Sequence, residues 1–227
     1  MRCWICASTA DSREHLLKAS DLRYFFGDIS PESPVYYHSP ERRNQPLKSA
    51  KANRVKTGKV ICSRCNDTRT APHDHAWESL LSVMSDNWRE IKTRGRLKLQ
   101  KHFPGSVRSL SKNVHLYFTK LFGCRIIDED IPIPIREFRE AIINEIPHSN
   151  LFLTFCFRNV LSKDAHYAGI SEVHAKQSGA RVDVASWYYT LGELDVQISW
   201  FRETPVRNIP GAWHPADGGK ILKFRRR

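Results

Sequence analysis

Four cysteines in two close pairs, a Glu-His dipeptide between the pairs and an asparagine behind the last cysteine are the residues best equipped for chemistry. They read Cys3-Trp4-Ile5-Cys6, Glu14-His15 and Cys62-Ser63-Arg64-Cys65-Asn66. A Cys-x-x-Cys knuckle puts two thiolates on one tight turn, and two knuckles meet the tetrahedral requirement of a single zinc ion. Cys3, Cys6, Cys62 and Cys65 are therefore expected to bind one structural zinc, rather than to form two unrelated buried pairs. One clamp of this kind would bring His15 close to Asn66. An imidazole titrates near neutrality and suits a general base. Glu14 and Asn66 offer hard oxygens to one Mg²⁺, an ion that keeps several waters and needs few protein ligands. Asp74 or His73, on the opening turn of the next helix, would add a ligand or orient the base. The set suits phosphodiester hydrolysis, which needs an activated water, a cation at the leaving oxygen and stabilised developing charge.

Each of these groups has a plainer reading. His15 is also what a surface histidine beside an acid looks like. Asn66 suits the left-handed turn after a knuckle. An acid such as Asp74 in a first helical turn complements the helix dipole. Arg69 could neutralise a phosphate through its planar fork of donors, or pair with Asp67 or Glu78. Cys124 and Cys156 sit in apolar contexts and read as buried core thiols. The remaining histidines show no ligand spacing with one another.

The elements that must position these groups are partly visible. Asp11-Ser12-Arg13-Glu14 reads as a turn leading into His15-Leu16-Leu17. Residues 28–34 are a Pro/Ser loop. From Ser39 to Lys59 the chain is polar and basic (Arg42, Arg43, Lys48, Lys51, Arg54, Lys56, Lys59), either a solvated loop or a phosphate-contacting arm. Ala71-Pro72 begins a helix with buried face Ala76, Trp77, Leu80, Leu81 and Met84. Residues 86–113 read as a further basic helical stretch and a loop broken at Pro104-Gly105. Val114 to Gly123 reads as a helix stopped by its glycine, and Ile135–Ile146 as another. Leu151–Phe157, Val182–Tyr189 and Leu194–Phe201 are aromatic, β-branched strands, the last two joined at Gly192-Glu193. The Lys/Arg-rich end, closing in Arg225-Arg226-Arg227, reads as a solvated tail or a phosphate contact. The expected fold is α+β: a zinc-clamped ββα-metal module over residues 1–85, then a basic α+β domain over 86–227 with a small antiparallel sheet.

The motif set resembles the HNH (His-Me finger, ββα-metal) endonucleases, and within them the four-cysteine zinc subgroup typified by recombination endonuclease VII. The asparagine directly after the fourth cysteine carries much of that likeness, as does the string Cys65-Asn66-Asp67-Thr68-Arg69-Thr70 before Pro72-His73-Asp74. The resemblance implies a ββα unit holding one divalent metal, with His15 as general base and Glu14 and Asn66 as catalytic metal ligands. It covers roughly the first third of the chain. Glutamate stands where aspartate is more familiar, and residues 16–61 are a long connection for a simple hairpin. His73, His75 and Asp74 are alternative positions for the further helix ligand seen in the family. Relatives in the four-cysteine subgroup are sometimes intertwined dimers, although no exposed heptad here demands a homodimer.

Composition narrows the partner. Lys and Arg number 36 against 24 acids, a net charge of +12, which favours a polyanion. Nucleic acid is the expected partner, with DNA preferred to RNA, and the second part of the chain selecting substrate. Hydrophobic residues at 41% are enough for a real core and exclude wholesale disorder. No stretch is apolar enough to span a bilayer. Cys3 leaves no room for a cleavable leader before it, so a cytoplasmic protein with metal-bound thiols is expected. Two other functions stay open: a non-catalytic zinc module that binds nucleic acid or a protein, and an RNA-cutting toxin.

Overall fold

The computed structural model describes residues 1–38, 45–50, 52–158, 167–203 and 209–227. Of the basic run between Ser39 and Lys59, Arg42, Arg43 and Lys51 lie outside the described residues, as does the side chain of Arg54.

After the first knuckle come helix α1 (Ala19–Phe26) and strands β1 (Val35–His38) and β2 (Gln45–Leu47). The second knuckle runs into a turn of π-helix, Arg64–Arg69, and then helix α2 (Ala71–Asp86). Proline stands in the first turn of α2, and Ala76, Trp77, Leu80, Leu81 and Met84 are buried, as their helical spacing predicts. The basic stretch that follows is cut into α3 (Trp88–Arg94), β3 (Arg96–Lys98) and α4 (Leu99–His102). Gly95 adopts φ 64° after α3, a conformation open to glycine without strain, and this ends the helix.

Helix α5 (Val107–Asp128) is the spine of the molecule. Its residues from Val114 to Ile126 are buried around the whole circumference, which marks a helix enclosed on every side rather than one lying on a surface. Gly123 does not stop it. A Cβ at that position would lie 2.6 Å from the Trp4 ring, so glycine is needed to let the knuckle's indole approach the helix. Trp4 Nε1 donates to the next side chain, Cys124 Sγ, at 3.2 Å. Arg139 on α6 (Arg136–Asn144) donates to the Trp4 carbonyl at 2.7 Å. The first knuckle is thus docked onto two helices that lie far away in sequence.

The remaining strands are β4 (Leu151–Phe157), β5 (Tyr167–Ile170), β6 (His174–Ser178), β7 (Arg181–Leu191), β8 (Leu194–Phe201) and β9 (Ile221–Arg226). Leu191 pairs Leu194 across the Gly192-Glu193 turn, and Gly192 takes φ 56° there. The expected small antiparallel sheet is corrected. Among the described residues nine strands form one mixed sheet in the order β2-β1-β5-β7-β8-β4-β9-β3, with β6 also on β7. The β1–β5 and β4–β9 pairs are parallel. The reading of the basic terminus as a tail is corrected as well. In β9, buried Leu222 and Phe224 alternate with exposed Ile221, Lys223 and Arg225, an inward-outward pleat beneath a charged surface.

Helix α5 lies over this sheet, with Phe118 edge-on to Tyr189 and Phe122 tilted on Trp187. On its other flank Tyr117 stacks on Trp77 of α2 at 5.5 Å. Trp77 Nε1 and the Tyr189 hydroxyl both donate to Asp21 Oδ2, at 2.7 and 2.6 Å. This buried carboxylate therefore joins α1, α2 and β7, and burial lifts its pKa to about 6. Residues on both sides of position 85 contribute to one connected set of buried side chains.

Candidate functional site

The sulfurs of Cys3, Cys6, Cys62 and Cys65 all lie within 4.8 Å of one another, and three of the four residues are buried. Cys6 Sγ and Cys62 Sγ approach to 3.5 Å. Each knuckle is shaped by its own backbone. Cys3 N donates to Ser8 O at 2.7 Å, and Ala7 takes φ 63° to close the first turn. Asn66 N donates to Cys62 O at 2.9 Å in the second. Four thiolates at this spacing are the donor set of a structural zinc site, and the cluster could hold one zinc ion.

Behind the clamp two extended segments run side by side. Ser12 N donates to Ile61 O, Thr57 N to Glu14 O and Leu16 N to Val55 O, at 3.0, 2.9 and 2.7 Å. Isolated antiparallel bridges pair Ser12 with Ile61 and His15 with Lys56. Neighbouring residues on extended backbone face opposite ways, yet both Glu14 and His15 line the adjoining cleft of ≈ 370 Å³. Asn66 and Asp67 from the π-turn, Asp74, His75 and Glu78 from α2, Lys18 and Lys120 also line it.

His15, Glu14, Asn66 and Asp74 therefore meet in one place. His73 does not join them. It is 1% exposed, and its Nδ1 lies 3.0 Å from Asn113 Oδ1 on α5. Helical neighbours point about 100° apart, so His73 turns into the core while Asp74 and His75 face the cleft.

His15 Nε2 is buried without a hydrogen-bond partner among the described residues. Burial, then the charges of Lys56, Lys120 and Lys18, hold its imidazole down near 4, so it is neutral at physiological pH. Asn66 Nδ2 donates to Ser12 Oγ at 3.1 Å and reaches Arg13 O at 3.4 Å, which leaves its carbonyl oxygen outside those bonds. Glu14 is 4% exposed; burial pushes its carboxyl up against the opposing pull of Lys120.

Two cleft residues escaped the sequence reading. Lys120, 1% exposed, places Nζ 3.1 Å from Glu14 Oε2 and 3.0 Å from Asp74 Oδ1. Lys18 bridges Asp74 and Glu78 at 3.5 and 2.8 Å. A signal for Lys120 existed: a lone lysine within the apolar run Val114–Gly123 must find a buried partner. For Lys18, the i, i+4 pair Asp74 and Glu78 forms one acidic face of α2 that calls for a cation. Comparison with protein-family models, curated proteins and solved structures gives no match for this chain.

Proposed function

We propose that the chain is a metal-dependent endonuclease of the HNH type that hydrolyses phosphodiester bonds of DNA. The observation that carries this reading is the meeting of His15, Glu14, Asn66 and Asp74 in one cleft beside the four-cysteine cluster. The local order supports it too: two short antiparallel segments, then a helix, with the acid-His pair on the first segment and the asparagine just before the helix.

His15 is the general base. Its imidazole is neutral, and its buried Nε2 has no hydrogen-bond partner among the described residues, so a ring nitrogen is available to accept a proton from water. The donor set fits one hard divalent ion in its chemistry. Glu14 meets Lys120 at Oε2, and the hydrogen bonds described for the Asn66 side chain use its amide nitrogen, so a carboxylate and an amide oxygen border the same cleft. Glu14 and Asn66, with Asp74 beside them, would hold the ion, which when bound supplies positive charge for the departing oxygen. Lys18 and Lys120 offset the acids that would otherwise repel a phosphate. Arg13, Arg64 and Arg69 are exposed on the segments that carry Glu14 and Asn66, cations on hand for a phosphate backbone. Residues 86–227 select and hold the nucleic acid, and the protein works in the cytoplasm.

One observation favours a different reading. The buried Glu14–Lys120 pair is also what a purely structural tie looks like, as expected for a non-catalytic zinc module that binds nucleic acid or protein. Supercoiled plasmid with Mg²⁺ or EDTA separates the two. The hydrolase nicks it only with metal and loses nicking in His15→Ala; specific binding without cleavage under any divalent ion supports the module. The same assay on RNA tests the toxin reading.

A further inference from the structure

We infer that Lys120 is a built-in counter-ion: its ammonium joins the two acidic walls of the cleft and competes with the divalent cation for Glu14. The inference rests on the proposed divalent site and names what controls its affinity. Lys120 projects from the middle of α5, where every neighbour from Val114 to Ile126 is buried. A helix that needed only packing there would carry an aliphatic side chain, because an interior ammonium is costly to desolvate unless it is paired. It is paired with two carboxylates. Its Nζ lies 3.1 Å from Glu14 Oε2, and 3.0 and 3.1 Å from Asp74 Oδ1 and Oδ2. The two Asp74 oxygens belong to one carboxylate, so the ammonium is shared between two acids, and with its side chain 1% exposed it is committed to them. Lys120 is therefore a positioning residue that acts through Glu14 and Asp74.

Those two carboxylates come from opposite walls. Glu14 belongs to the extended segment that carries His15, and Asp74 to the first turn of α2. Lys120 holds them at a common distance from one point, which is what a cation ligated by both would otherwise do. While the ammonium stays there, a divalent ion in the cleft must share Glu14 and Asp74 with it and feels a fixed positive charge about 3 Å from both carboxylates. In a buried setting that repulsion is weakly screened. A single, weakly held divalent ion follows.

Electron paramagnetic resonance of Mn²⁺, titrated into the zinc-loaded full chain, reads this directly and without reference to cleavage. The unaltered protein binds one Mn²⁺ with an affinity near the millimolar range, and Glu14→Gln abolishes that binding. Lys120→Met tightens it roughly tenfold or more, whereas Lys120→Arg, which keeps the charge, stays within about threefold of the original. A Lys120→Met protein with normal zinc content and circular dichroism that binds Mn²⁺ no more tightly overturns the inference. So does low-micromolar binding by the unaltered protein, a result that stands even if the methionine variant fails to fold. Mg²⁺-dependent nicking together with an unchanged Lys120→Met affinity sinks this inference alone. Tightened Mn²⁺ binding in a protein that cuts nothing sinks the endonuclease reading alone.

Discussion

At the scale of single residues the chemistry rests on which atoms stay unpaired. His15 Nε2 is buried without a partner among the described residues, while the Asn66 amide nitrogen is tied to Ser12 and Arg13. On the proposed reading His15→Ala lowers the plasmid-nicking rate about 10²–10⁴-fold, the range expected for loss of a general base. Zinc content should stay unchanged, because His15 is not one of the four clustered thiol residues. Gly123→Ala tests a different demand. Its methyl would meet the Trp4 ring at 2.6 Å, so denaturant unfolding should show a loss of about 1–3 kcal/mol, as for other overpacked cores. Both positions illustrate what one residue's type discloses. A histidine beside an acid announced itself, whereas Gly123 read as a helix stop, because glycine serves as readily for close approach as for termination.

At the scale of elements the four-cysteine cluster is a hinge between distant parts. Trp4, between two cluster cysteines, bonds to Cys124 on α5 and receives Arg139 from α6. Losing the metal should therefore disturb more than the knuckles. In Cys62→Ser we expect zinc loss, a thermal midpoint lowered by many degrees and a weakened Trp4 contact visible by fluorescence, since structural zinc binding contributes on the order of 10 kcal/mol in small folds. Strand β9 gives the complementary test at the other end of the chain. Phe224 packs on Phe155 and Trp88. Phe224→Ala should cost about 3–5 kcal/mol, a loss that a solvated tail would not produce. Helix α2, strands β4, β7 and β8 and the Gly192 turn were legible because their periodicity is long and clean. Strands β1, β2, β3 and β9 were not. They are short or coated with charge, and except for the β1–β2 pair their hydrogen-bond partners lie far away in the chain, so little that is local specifies them.

At the scale of the whole molecule, stability should depend on pH through histidines that the fold alone gathers. His115 donates to Leu151 O, its ring lies 4.8 Å from that of His214, and His214 reaches His148 O. Burial lowers all three imidazoles, His115 to about 3 and His148 to about 4, beneath the ordinary value of 6.5. In the window between those values the unfolded chain binds more protons than the folded one. Stability from these groups is complete above about pH 6.5 and drains away as pH falls toward 4. Asp21, lifted to about 6, acts with the opposite sign and softens the decline. Thermal unfolding at pH 7 and pH 5 should show a clear drop in midpoint, with His148 contributing on the order of 2 kcal/mol. A midpoint that rises on acidification would contradict the buried, neutral cluster. The net charge of +12 makes a second expectation at this scale: on the proposed reading, binding to nucleic acid should fall steeply and log-linearly with salt as counterions are released.

What the sequence by itself determined is the identity of the chemical groups: two knuckles able to share one metal, an acid-His pair, and an asparagine fixed to the second knuckle by adjacency. Those are short-range facts, since a ligand two or three residues from its partner needs no fold to place it. The tertiary structure alone decided which helix residues face the cleft, turning His73 inward and Asp74 outward. It also brought Lys120 from the middle of α5 to Glu14 and Asp74, across 106 and 46 positions respectively. A buried cation acquires its partners only when separate segments pack together, because its cost outside water is met by groups that the linear chain keeps apart.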